Sequence, residues 1–247
     1  MLRAGLAAIA FWIASAVFAM ATPPNVILEA KLIEPTTRYD HGVLGDAIEW
    51  GALALHVDMG CQGCETPATR NFVIRLPENR VFEDIEARII DLGEGSRGVM
   101  VVETDLAKGA RLALYDESGL IAATPFIGRK YRWLAPIGAA DLDGDGNIEI
   151  AYIDRPHLAK TLRVWRYYDG ELLPVVDLPD LTNHRIGEDV IFGGIRDCGD
   201  GFEVITANGN WSWVVATRFV DGALVARKIG DNKGPRSFKR ALDCRAP

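Results

Sequence analysis

Hairpin turns recur at a nearly constant interval: Asp116-Glu-Ser-Gly119, Asp169-Gly170 and Asp221-Gly222 begin 53 and then 52 residues apart. Short β-rich runs flank each turn, which is how two-residue hairpin loops announce themselves. The third segment is the clearest, with Ala135–Asp141, Ile148–Ile153, Leu162–Tyr167 and Glu171–Val176 reading as four strands. The second offers Ala87–Asp91, Val99–Glu103, Arg111–Tyr115 and Leu120–Ala123, and the fourth Val190–Asp197, Phe202–Ile205, Val214–Phe219 and Ala223–Ala226. A looser opening segment holds Ile48–Leu55 and Asn71–Leu76. No unit has enough apolar positions to bury a face by itself, so neighbouring sheets must stack. We therefore expect an all-β chain, a small β-propeller of four blades with four antiparallel strands each. Its repeats would span 40–84, 85–133, 134–185 and 186–230, with a tail at 231–247. A Greek-key sandwich is the competing architecture.

The 247 residues are 49% hydrophobic, enough for a sizeable core, and the formal charge of -7 gives no electrostatic reason to expect nucleic acid or anionic lipid as partner. Residues 1–21 read as a cleaved signal peptide: Arg3, an apolar run from Ala4 to Phe18, then Ala19-Met20-Ala21. An uncleaved anchor is the alternative, but the run is short for a spanning helix. Once the signal is removed, stable membrane insertion is not expected of the domain at 22–247, and the compartment is periplasmic or extracellular. In that oxidising setting Cys61, Cys64, Cys198 and Cys244 are read first as disulfides, Cys61 with Cys64 and Cys198 with Cys244. Three pairings are formally possible.

The strongest chemical motif is Asp141-Leu-Asp143-Gly144-Asp145-Gly146-Asn147-Ile-Glu149. Carboxylates at loop positions one, three, five and nine, with glycines between them, suit a calcium ion, which needs six to eight oxygens converging inside a tightly coiled backbone. Asn147 would add its main-chain carbonyl. Magnesium, which keeps its waters, fits less well. With strand-like sequence on both sides, the loop resembles the calcium hairpins of FG-GAP and VCBS-type repeats of bacterial exported proteins and of integrin α-chain propellers. Carried over position by position, that resemblance implies Asp141, Asp143, Asp145 and Glu149 as side-chain ligands of one structural calcium. Two departures are visible: position nine is Glu, and the Phe-Gly signature survives only as Phe192-Gly-Gly. The loop at Asp197-Cys-Gly-Asp200-Gly-Phe-Glu203 is shorter, and the one at Asp91 brings Arg97, whose charge could stand in a cation's place.

Other signals weigh less. Gly93-Glu-Gly95-Ser-Arg-Gly98 has the letters of a dinucleotide fingerprint but precedes a strand-like run, not the helix that motif needs. Cys61-Gln-Gly-Cys64 has redox spacing without a following helix. Trp211 and Trp213 could stack on a ligand, and the basic tail from Lys228 reads as a solvated face. The leading expectation is an exported, calcium-stabilised binding or scaffolding module without chemistry of its own, with an unknown protein or glycan as ligand. One alternative is a periplasmic enzyme acting on polysaccharide through central acids such as Asp46, Glu49, Asp154 and Glu188. Another is thiol-disulfide exchange at Cys61 and Cys64.

Overall fold

The computed structural model describes residues 25–60 and 68–247, so the signal segment and the Cys61–Cys64 pair lie outside the described residues. The first strands are β1 (Val26–Thr36), β2 (Glu49–Asp58), β3 (Thr69–Arg75) and β4 (Arg80–Phe82). Three meanders follow. The first comprises β5 (Arg88–Gly93), β6 (Ser96–Asp105), β7 (Gly109–Asp116) and β8 (Gly119–Ala123). The second comprises β9 (Leu134–Ala140), β10 (Ile148–Asp154), β11 (Thr161–Tyr168) and β12 (Glu171–Pro179). After the short β13 (Leu181–Thr182), the third runs through β14 (Gly194–Asp197), β15 (Phe202–Asn208), β16 (Trp213–Val220) and β17 (Ala223–Asp231), and the chain ends in a helix, α1 (Pro235–Leu242). The pairing within these sheets is antiparallel throughout.

Turn chemistry explains the meanders. Asp169 and Gly170 have φ of 50° and 75°, and Asp221 and Gly222 have 50° and 77°. That is the left-handed pair a two-residue hairpin demands, and it closes Tyr168 against Glu171 and Val220 against Ala223.

Period-two patterning explains the stacking. In β6 and β7, Val99, Val101, Ala113 and Tyr115 pack toward β2, with Leu53, Leu55 and Phe82. Their neighbours Met100, Val102, Leu112 and Leu114 face the other way, into a core shared with Ile150 and Leu162 of the second meander and with Val204 and Val215 of the third. Both faces are thus apolar in the middle of the stack. β9 lies between β5 and β14, and β12 between β8 and β17, as successive sheets laid face to face require.

The two ends differ from four like blades. Through β4, which pairs with β2 at Phe82 and with β6 over Arg80–Phe82, strands β1 to β8 join into one eight-stranded sheet. β1 has no counterpart in the sequence reading, because its alternation (VILEAKLIEPT) lies outside the repeats. It carries the ion pairs Lys31–Glu29 and Arg75–Glu34, and its neighbours β2 and β3 add the His56–Asn71 contact. At the far end, the outer face of the third meander (Ile205, Ala207, Val214, Ala216) is covered by Phe238 and Ala241 of α1. Within the basic tail, Pro235–Leu242 is thus a capping helix, whose Arg236, Lys239 and Arg240 are exposed as that reading expects. Pro235 starts it, Lys239 and Arg240 occupy its last turn, and Cys244 just beyond is disulfide-bonded to Cys198, with their Cα atoms 5.7 Å apart. No helix among the described residues is long and apolar enough to cross a membrane.

Candidate functional site

The acidic loop joins β9 to β10, and its glycines are needed where they stand: Gly144 and Gly146 have φ of 80° and 89°, which lets the chain coil back on Asp141. Asp141 Oδ1 accepts the backbone N–H groups of Gly144 at 2.8 Å and Asp145 at 3.0 Å, and its Oδ2 accepts that of Gly146 at 3.0 Å. Oxygens of Asp141, Asp143 and Glu149 come within 4.8 Å of one another. One calcium ion 2.3–2.6 Å from each ligand bridges oxygens up to about 5.2 Å apart, so these three fit it. Asp145 lies outside that trio. Asn147 donates to Asp145 Oδ1 from both its backbone N and its Nδ2, at 2.9 Å each, and its backbone N–H is the main reason the Asp145 carboxyl is held below its ordinary value.

The sequence reading missed Arg166. It sits directly across the ladder from Glu149, and its guanidinium donates to Glu149 Oε1 at 2.6 Å and Asp143 Oδ2 at 2.7 Å, and pairs with Asp145 at 2.8 Å. Glu149 Oε2 accepts the N–H of Leu142 at 2.9 Å. Burial nevertheless pushes the Glu149 carboxyl above its ordinary value, against the opposing pull of Arg166. The loop therefore has a resident cation of its own, and a calcium ion would share Asp143 and Glu149 with it. Arg97, the residue considered for such a role in the second repeat, instead reaches the carbonyl of Ile27.

A second assembly lies at one end of the stack, where the β1–β2 connection crosses over and Gly187 N donates to Val43 O at 3.0 Å. It is a cavity of about 480 Å³ lined by residues including His41, Tyr131, Arg132, Trp133 and His157. Sequence spacing scatters these histidines; the fold gathers them. His41 Nδ1 is 2.5 Å from Oε1 of the fully buried Glu83, whose Oε2 accepts Thr104 Oγ1 at 2.5 Å and whose backbone carbonyl accepts Trp133 Nε1 at 2.9 Å. Burial pushes Glu83 up, opposed by His41 and Thr104. His157 Nε2 is 3.0 Å from His184 Nδ1, and His184 Nε2 is 2.7 Å from the Glu188 carbonyl. Desolvation, with the nearby His184 and His41, lowers His157 to about 4, and burial lowers His184 too, so both rings are neutral at pH 7. The carbonyl of Glu188 can only accept, so His184 donates from Nε2 and accepts at Nδ1, and His157 donates from Nε2.

The four acids proposed for an enzyme do not gather in one site. Glu49 is buried close to Glu83, Asp46 and Asp84, and desolvation pushes its carboxyl up to about 9. Asp154 is held by Arg155 and Arg163 at 2.8–2.9 Å, and Glu188 lines a separate cavity. The tryptophan pair also divides: Trp213 is exposed, with Lys228 Nζ 4.9 Å from its ring centre, whereas Trp211 turns inward to line the same cavity as Glu188. No protein-family model matches the chain, and no curated protein matches it significantly.

Proposed function

We propose that the protein is an exported, non-catalytic binding module that receives a saccharide unit of a glycan in the histidine cavity. One observation carries this reading: aromatic and polar side chains from three distant segments, among them the neutral His157 imidazole and the Arg132 guanidinium, converge on a single cavity. Sugar hydroxyls both donate and accept, and such a lining offers them aromatic faces beside polar groups. The repeats are read as a propeller-type array of the FG-GAP and VCBS kind, and the β9–β10 loop as one structural calcium site made by Asp141, Asp143 and Glu149, with Asp145 and Asn147 at its margin. The Cys198–Cys244 bridge supports an oxidising compartment.

Calorimetric titration with envelope polysaccharide fragments tests the glycan reading. His157→Ala and Arg132→Met are expected to weaken binding roughly tenfold each, the cost of one or two lost hydrogen bonds. Fragments that bind both variants as tightly as the unaltered protein would remove the cavity from the account.

A second reading is favoured by the His41–Glu83 contact, since a carboxylate holding one imidazole nitrogen leaves the other available as a general base. An enzyme of this kind would lose turnover of a cleaved glycan in His41→Ala with binding intact. Binding and no turnover in the unaltered protein would leave the non-catalytic module.

A further inference from the structure

The cavity that takes Trp211 has a chemistry of its own. It encloses about 350 Å³ between the segment before β14 and the start of α1. Its back wall is aromatic, with the Trp211 ring centre 5.6 Å from Phe192 and 6.3 Å from Phe238. Glu188 and Asp189 also line it, and among the described residues neither forms an ion pair. The guanidinium of Arg185 lies 4.5 Å from the Trp211 ring centre.

Trp211 is held there at some conformational cost. Its φ of 65° is left-handed, an unusual setting for a bulky side chain. Neighbouring groups fix it: Trp211 N donates to Asn208 O at 2.8 Å, Asn232 Nδ2 donates to Trp211 O at 3.0 Å, and Asn208 Oδ1 accepts Trp213 N at 2.8 Å. Capping the core with an indole would not require two unpaired carboxylates beside it. An aromatic face with carboxylates at its side is the environment a guanidinium prefers, since it stacks on the ring and pairs at its edge.

We propose that this cavity is a recognition site for an arginine side chain of a partner protein, and that Arg185 is a built-in occupant which the partner displaces. Arg185 already covers the ring but leaves both carboxylates unpaired, so an incoming guanidinium that stacks on Trp211 and pairs with Glu188 or Asp189 makes more contacts than the one it replaces. A tethered occupant competes at an effective concentration in the millimolar range, so removing it uncovers affinity that the unaltered protein hides.

The test uses the full chain and the peptide acetyl-Gly-Arg-Gly-amide, followed through tryptophan indole N–H shifts. Arg185→Ala is expected to bind this peptide roughly tenfold more tightly than the unaltered protein does. It should also prefer the peptide by a similar factor over its citrulline counterpart, which keeps the shape and loses the charge. Adding Glu188→Gln and Asp189→Asn should abolish that preference. Free L-arginine binding better than the peptide would assign the site to the amino acid and overturn the partner-protein proposal. Equal binding of the arginine and citrulline peptides to Arg185→Ala, or no binding of either at about 10 mM, overturns the guanidinium site itself. The citrulline comparison needs only the single variant, so it stands even if the triple variant fails to fold. Neither the glycan nor the calcium reading enters this test.

Discussion

The β9–β10 and β14–β15 turns are two versions of one hairpin. Each opens on an aspartate that gathers backbone N–H groups: Asp141 takes those of Gly144 and Asp145, Asp197 those of Gly199 and Gly201. Each leads to a buried glutamate answered by arginine, Glu149 by Arg166 and Glu203 by Arg196 and Arg227. Beyond that they diverge. The longer loop concentrates Asp141, Asp143, Asp145 and Glu149 and is drawn together by a cation, whereas the shorter one is tied covalently through Cys198 to Cys244 beyond α1. The same turn can thus be held by charge alone or by charge and a bond, and among the described residues only the longer version brings three carboxylates within 4.8 Å of one another.

Removing the bond should have the largest effect. With a sequence separation of 46 between the cysteines, loop-closure entropy gives about 4 kcal/mol. For a chain of this size, Cys198→Ala with Cys244→Ala should therefore lower Tm by roughly 8–16 °C. Reductant should reproduce the loss in the unaltered protein. An unchanged Tm would mean that Phe238 and Ala241 hold the cap unaided. Removing the cation comes next. Glu149 is fully buried and would lose its charge partner in Arg166→Met, at a cost of about 3 kcal/mol. Calcium at ten times its dissociation constant should return about 1.4 kcal/mol of that, read as a rise in Tm that chelator reverses and Asp143→Ala prevents. No response to calcium in the Arg166→Met background would leave the loop an ion-pair network only.

The same contrast marks what could be read from residues alone. The meanders were legible because Asp169-Gly170 and Asp221-Gly222 carry their backbone geometry in their side chains, or lack of them. The convergence of Asp141, Asp143 and Glu149 was legible because loop coiling is local. Arg166 was not, since which residue faces Glu149 depends on the β10–β11 ladder register, and the Asp169-Gly170 turn sets only the β11–β12 one. α1 was overlooked because eight residues give a weak period, yet Phe238 and Ala241, three apart behind Pro235, were its signal. The histidine cavity had no local signal: His41, Glu83, His157 and His184 meet only once the sheets are stacked. For the same reason Asp46, Glu49, Asp154 and Glu188 could be named as acids but not sorted into separate surroundings.

The smallest effect separates a carboxylate that arginine answers from one that nothing answers. Burial alone would raise Glu203, but hydrogen bonds from Arg196 and Arg227 outweigh it and hold the carboxyl below its ordinary value. Its contribution is therefore present above the unfolded value near 4.5 and is lost as pH falls through the lower folded one. Glu49 is the opposite case. Its Oε2 is buried without a hydrogen-bond partner, and desolvation, with Glu83, Asp46 and Asp84 nearby, raises it to about 9. Its contribution to stability is fully present below 4.5 and is lost as pH rises toward about 9. Glu203→Gln should therefore lower stability at pH 7 by about 1 kcal/mol and match the unaltered protein in acid, while Glu49→Gln should also match it in acid but exceed it at pH 7. Melting curves at pH 3, 7 and 9 check both variants: if both substitutions lower Tm at pH 7, burial does not raise Glu49, and if both raise it, Arg196 and Arg227 do not hold Glu203 down.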